Sequence, residues 1–209
     1  MAHNKPIKRG TAKAWLSSAS LHKFSQALSA PYWGVMSNMK FKYFRDPENF
    51  SFKIDDPAEC SVCGNVGLWY DAGGFYGLNE IECICDECLL EGKLKELEIE
   101  TNEAIDGSEE DKEEVIYKTP ALPVWQSRLW PTVSGQYCIF ERMASKADFQ
   151  SKQEFMDSVM PLDREGSDLD WLWEAMPDKK IKNHREGNFN VSVYLFTLMG
   201  KKYTTWDAS

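Results

Sequence analysis

Long apolar runs are missing from this 209-residue chain. Nothing approaches the roughly 18–20 consecutive apolar residues of a membrane-spanning helix, which argues against an integral membrane protein. The N-terminus also lacks the compact apolar stretch and small-residue cleavage site of a secretory signal, so a cytoplasmic, reducing compartment is expected. Catalytic signatures are scarce too. No G-x-S-x-G elbow, no H-E-x-x-H and no phosphate-cradling glycine loop occurs. Of three histidines, only His184 lies beyond residue 45, in the polar stretch "KNHREGN". A lone histidine in such a stretch is more often a surface residue than a catalytic base.

Acid is absent from the first 45 residues, which carry eight Lys/Arg. All 33 Asp/Glu lie beyond Arg45, against 16 Lys/Arg, so residues 46–209 carry a net charge of −17. A body that negative repels phosphate backbones and attracts basic partners. Nucleic acid is therefore not expected as a direct ligand.

What the chain does have is clustered cysteine. Five of its six cysteines fall between Cys60 and Cys88, four of them as Cys60-x-x-Cys63 and Cys85-x-x-Cys88. In a reducing compartment such pairs more often bind metal than form disulfides. Each C-x-x-C loop lets two thiolates converge on one cation, and two loops complete a tetrahedron; the expectation is one structural Zn2+ held by Cys60, Cys63, Cys85 and Cys88. Gly64 permits the tight turn after the first pair. A dithiol redox pair is the competing reading, but it calls for a helix N-terminus in a βαβ context, which the sequence does not announce. Cys83 could replace Cys85, although spacing favours Cys85 as the partner of Cys88. Cys138, in "QYCIF", lacks a nearby histidine and reads as buried in a strand. Four thiolates leave no open coordination position, so the cluster reads as scaffold rather than catalyst.

The pattern around the cysteines predicts an α+β fold: a small zinc-ribbon-like β module at about 57–92, with two C-x-x-C knuckles, joined to a mixed domain ending in a β-hairpin. Residues 1–38 read as a basic N-terminal extension, with Leu21, Phe24 and Leu28 on one helical face and a superficial likeness to a transit peptide; "MKFKYF" at Met39 could open a domain by itself. The aromatic alternation from Phe41 to Phe44 suggests a strand closed by the turn "RDPEN". "VGLWYDAGGFYGL" predicts two short strands joined at Gly73-Gly74. Residues 96–114, rich in acid, predict a solvated helix end or a linker. In "YKTPALPVWQSRLWP" three prolines forbid a regular element, and Trp125 and Trp130 are expected to anchor the loop. "GQYCIFERM" predicts a buried strand. Helices are expected over 148–160, with Asp148 as N-cap, and over 167–176, with Ser167 and Asp170 as a capping box. "NVSVYLFTL", a turn at Met199-Gly200-Lys201 and "KYTTW" complete the terminal hairpin.

The order of "FKYFRDP", "CSVCGN", "WYDAGGFYG", "ICDECLLEG", "KTPALPVWQSRLW" and "GQYCIF" resembles the CbrC family of bacterial proteins, named for colicin tolerance. That family shows an F-K-Y opening, a C-x-x-C-G, a G-x-F-Y, a second C-x-x-C followed by I/L-x-x-G, and a T-P…W-Q…W block. The likeness is dense over residues 41–140 and thin over 145–209. Where the family has H-C-G-D-x-C, this chain reads Val133-Ser134-Gly135-Gln136-Tyr137-Cys138. Near the C-terminus, Phe196 and Met199 stand where a family-type C-x-x-C-G is expected. The resemblance implies a cytosolic zinc-containing protein without a second metal site, in a family grouped with immunity proteins of bacterial toxin systems. On that basis the chain is expected to be a non-enzymatic binder that neutralises a basic toxin domain, with Asp168, Asp170, Trp171 and Trp173 as interface candidates. The alternatives are a metal- or thiol-dependent enzyme related to envelope or colicin tolerance, and a zinc ribbon of the transcription machinery. The acids that flank the knuckles, Glu59, Asp71, Glu80, Glu82, Asp86, Glu87 and Glu91, speak against the last.

Overall fold

The computed structural model describes residues 39–187 and 190–208; the basic extension, with Leu21, Phe24 and Leu28, lies outside them. Strands in the first half are two residues long: β1 (Ala58–Glu59), β2 (Val66–Gly67), β3 (Tyr70–Asp71), β4 (Tyr76–Gly77), β5 (Cys83–Ile84) and β6 (Ile99–Glu100). They pair antiparallel as β1–β2, β3–β5 and β4–β6. The expected hairpin through Gly73-Gly74 does not form, because β3 and β4 turn to different partners. The departure has a steric counterpart at Gly77, where a Cβ would stand 2.2 Å from the Glu98 carbonyl oxygen. Only glycine lets the β4 and β6 backbones approach that closely.

The second half supplies the sheet. After the hairpin of β7 (Thr132–Val133) and β8 (Gln136–Tyr137) come β9 (Ile139–Met143), β10 (Val191–Leu198) and β11 (Lys201–Ala208), in the antiparallel order β11–β10–β9. The predicted strand over 135–143 is split at Cys138, whose N–H donates to Pro131 O (3.0 Å) and whose carbonyl accepts the Trp130 indole N–H (2.7 Å). The terminal hairpin forms as the sequence suggests: Leu198 pairs with Lys201 across a two-residue loop with positive φ at Met199 (50°) and Gly200 (78°). Such loops match the natural twist of a strand pair.

β10 is buried along both faces, and period-2 alternation divides its side chains. Tyr194 and Phe196 join a cluster with Phe41, Phe44, Trp130, Phe140 and the cysteines, whereas Val191, Val193 and Leu195 join Phe149, Phe155, Leu172 and Met176. Each buried aromatic of this kind removes enough apolar surface from water to contribute about 2–3 kcal/mol. Helices Lys152–Ser158 and Leu169–Ala175 supply the second cluster. Their caps differ from expectation: Ser151 caps the first while Asp148 serves a preceding 3-10 turn with Ser145, and Asp168 rather than Ser167 caps the second.

Three further expectations are corrected. Residues 41–44 form no strand; a single parallel bridge joins Phe44 to Phe140, and a helical turn over Pro47–Phe50 follows, capped by Asp46. The acid-rich stretch is no linker, for Thr101 and Asn102 within it are fully buried and a helix spans Glu109–Tyr117 behind the cap Ser108. The Asn102 amide donates to Val115 O (3.2 Å) and Pro120 O (3.1 Å) and accepts from Leu122 N (2.9 Å), so one side chain satisfies the proline-rich loop. Its period carries no hydrophobic signal, so a charge count hides it. Trp130 anchors that loop, but Trp125 is 65% exposed. Among the described residues no helix is long and apolar enough to cross a membrane.

Replacing Asn102 by alanine leaves buried backbone groups without partners. Urea unfolding of Asn102→Ala should therefore show a loss of about 3 kcal/mol. The exposed Glu110→Ala, on the neighbouring helix, should stay within about 0.5 kcal/mol of the parent.

Candidate metal centre

The first cysteine pair lies in the tight turn between β1 and β2. Cys60 N–H donates to Asn65 O (2.8 Å) and Gly64 N–H to Cys60 O (2.8 Å), closing the loop on itself. Gly64 sits at φ +75°, the left-handed region in which a side chain is strained. The second pair is presented differently from a knuckle. Cys85 follows β5 directly and caps the helical turn Asp86–Leu90, its sulfur facing Cys88 N–H at 3.5 Å. The pair thus does stand at a helix N-terminus, contrary to the sequence reading. The strand before it, however, pairs antiparallel with β3, so the βαβ setting of a redox dithiol is absent from these elements.

The two halves are sewn together through backbone. Ser61 N–H donates to Cys83 O (3.0 Å), Ser61 Oγ accepts from Glu82 N (3.2 Å), and Cys85 N–H donates to Cys60 Sγ (3.3 Å). As a result the Sγ atoms of Cys60, Cys63, Cys85 and Cys88 all lie within 4.8 Å of one another, with Cys63 and Cys85 3.6 Å apart. A tetrahedron of 2.3 Å metal–sulfur bonds has S···S edges of about 3.8 Å, so the four fit around one ion. None of the six cysteines forms a disulfide. An all-sulfur donor set selects soft and borderline metals over Mg2+ or Ca2+.

Electrostatics show what the cation would resolve. Burial pushes the Cys60 thiol up, but hydrogen bonds from the Cys63, Cys85 and Val62 backbone outweigh it and bring it down to about 7. Burial pushes Cys85 up to about 11, and Cys88 higher still, with the neighbouring sulfurs adding to the rise. Of these three thiols Cys60 is the one held low, and a shared cation would favour loss of the protons on Cys85 and Cys88. Beside them Asp86 accepts from Lys40 (2.7 Å) and from the Tyr70 hydroxyl (2.6 Å), tying the capped helix to the N-terminal edge of the domain. The sequence offered Asp86 only as one more acid, since Lys40 and Tyr70 are distant in the chain.

The remaining candidates lie elsewhere. Cys83 is buried, its thiol donating to Glu59 O (3.3 Å), and it stands outside the four-sulfur group. Cys138 is buried too, and burial alone pushes its thiol up to about 12. His184 stacks edge-on against Phe52 with ring centroids 5.2 Å apart, a packing role. Trp173 packs on Phe149 and Phe155, Asp168 is spent as a helix cap, and Asp170 pairs with Lys152 (2.6 Å). Trp171, 47% exposed against Trp206, is the surface member of that group.

Residues 39–207 match the uncharacterised protein family UPF0167. The chain belongs to that family. The match takes in the whole sulfur cluster and the three-stranded sheet, whereas no solved structure matches the chain.

If the four sulfurs share one ion, purified protein should carry one equivalent of metal, and its affinity should fall as pH drops because each bound thiol has lost its proton. Cys88→Ser should abolish stoichiometric binding and lower the thermal midpoint. Cys83→Ala should retain one equivalent, as judged by elemental analysis. Retention of full occupancy in Cys88→Ser would show the wrong ligand set.

Proposed function

We propose that this chain is a non-enzymatic, zinc-containing binding protein of the CbrC type, acting in the cytoplasm as an immunity-type protein that neutralises a basic bacterial toxin domain. Zinc suits the four-sulfur site because it is redox-inert and takes tetrahedral thiolate coordination without geometric penalty. Cys60, Cys63, Cys85 and Cys88 would hold it, and its contribution is to fix the loops between β1 and the helical turn. The chain itself supplies the rest: the Gly64 backbone shapes the turn, Cys85 caps the helix, and Asp86 clamps it through Lys40 and Tyr70.

The observation that carries the reading is the acidic rim of this module. Glu59, Asp71, Glu80, Glu82 and Glu87 are exposed, and none has a Lys, Arg or His nitrogen within 4.0 Å among the described residues. Exposed carboxylates without a neighbouring counter-charge repel one another and leave a negative field that a basic partner would neutralise. Val66, Leu68, Tyr76 and Leu78 are exposed on the same module and supply apolar contact area. Enzymes that attack nucleic acid present basic clefts, which such a surface complements in charge and masks in shape.

Co-expression with the product of the neighbouring gene should yield a complex that survives purification at micromolar concentration and restores growth. Charge reversal of Glu80, Glu82 and Glu87 to lysine should slow association by about tenfold or more at low salt, with the gap closing as ionic strength rises. Failure of the parent chain both to co-purify and to rescue growth would overturn the reading.

A further inference from the structure

The domain contains a cavity far in sequence from the sulfur cluster. It encloses about 450 Å³ and is walled by Leu122, Val124, Trp130, Met160, Leu162 and Trp206. That volume lies within the range of sites for small organic molecules, and its lining mixes apolar and aromatic side chains with polar ones. Three carboxylates also line it, Asp106, Asp163 and Asp207, and no Lys, Arg or His does.

The three acids are not equivalent. Asp207 is 5% exposed and built into the frame: it accepts Trp125 N–H (2.8 Å) and faces the Tyr194 hydroxyl at 3.0 Å, fixing the loop that forms one wall. Asp106 accepts the Thr132 hydroxyl (3.3 Å). Asp163 is held through its backbone: its N–H donates to Met160 O (3.1 Å), and its carbonyl accepts from the Trp206 indole N–H (3.0 Å) and the Ser167 hydroxyl (2.7 Å). Among the described residues its carboxylate has neither a hydrogen-bond donor nor a cation. A part-buried carboxylate left to water alone in this wall is less well solvated than one on open surface, so a cation placed beside it would stabilise its charged form.

We propose that this cavity binds a small organic cation, an ammonium group on an apolar or aromatic body, with the Asp163 carboxylate holding the charge and Trp206, Leu122 and Met160 holding the body. The aromatic walls add cation–π attraction to the ion pair. Burial, uncompensated by any neighbour, lifts the Asp163 carboxyl to about 6, a cost that a bound ammonium group removes. The site is independent of the metal centre and of the toxin-binding reading.

Tryptamine is a suitable probe, compared with its neutral counterpart tryptophol and its anionic counterpart indole-3-propionate, by calorimetric titration of the full-length protein at pH 7.5. Tryptamine should bind with a dissociation constant below about 1 mM, at least about tenfold tighter than tryptophol, and indole-3-propionate should not bind measurably. Asp163→Asn should bring tryptamine down to the affinity of tryptophol while leaving tryptophol unchanged. The variant removes an unpaired charge, so its thermal midpoint should not fall, and the amine-over-alcohol preference of the parent is read without any variant. Equal binding of all three probes, no tryptamine binding at 1 mM, or an unchanged tryptamine affinity in Asp163→Asn would each overturn the proposal.

Discussion

Convergence of four sulfurs is the constraint on which the first half of the domain depends. Strands of two residues cannot hold a sheet together by ladder hydrogen bonds alone, and β1 to β6 are all of that length. Their order comes from side chains that meet across sequence: Cys60 with Cys85, Ser61 with Cys83, Asp86 with Lys40 and Tyr70. A cation shared by the four thiolates would tighten this set of weak contacts, because metal-binding free energy is folding free energy in small modules. The same closure bears on chemistry. With all four tetrahedral positions taken by protein, a bound ion has no vacancy for water or substrate.

Much of this was legible in sequence wherever local spacing carries the information. The C-x-x-C pairs named the four sulfurs that the fold brings together, and alternating apolar residues before Met199-Gly200 named the terminal hairpin. Legibility failed where the deciding contact is long-range. Gly73-Gly74 looked like a hairpin turn, but β4 has β6 as its partner because Gly77 admits the Glu98 carbonyl. The helical start at Cys85 was hidden because its cap is a cysteine rather than a Ser, Thr, Asp or Asn. Asn102 was invisible for a similar reason, since a buried polar residue in an acidic run has no periodic signature. The cavity was not foreseen, because the walls that the stretch from Leu122 to Pro131 supplies close only against Met160 to Asp163 and Trp206, distant in the chain.

Net charge proved a coarse guide to available surface. Several of the acids behind the large negative total are structural: Asp86 and Asp111 bind lysine and tyrosine, Asp148 and Asp168 cap helical turns, and Asp207 holds a loop. Asp111 shows the difference plainly, since hydrogen bonds from Lys42 and Tyr43 hold its carboxyl down to about 2. Such a group contributes stability above the ordinary carboxylate range that fades as pH falls towards its folded value. The sulfur-bearing module carries five exposed carboxylates without a paired cation among the described residues, and Asp56, Glu98, Glu110 and Glu165 are exposed and unpaired elsewhere, so the free set is smaller than composition implies.

The double burial of β10 gives the domain a mechanical property of its own. Odd and even residues of one strand are committed to opposite layers, so neither layer can loosen without pulling on the other's anchor. The sulfur hub shares its layer with Tyr194 and Phe196, while Val193 and Leu195 of the same ribbon face the layer in which Trp173 packs with Phe149 and Phe155. One backbone thus frames both halves of the hydrophobic interior.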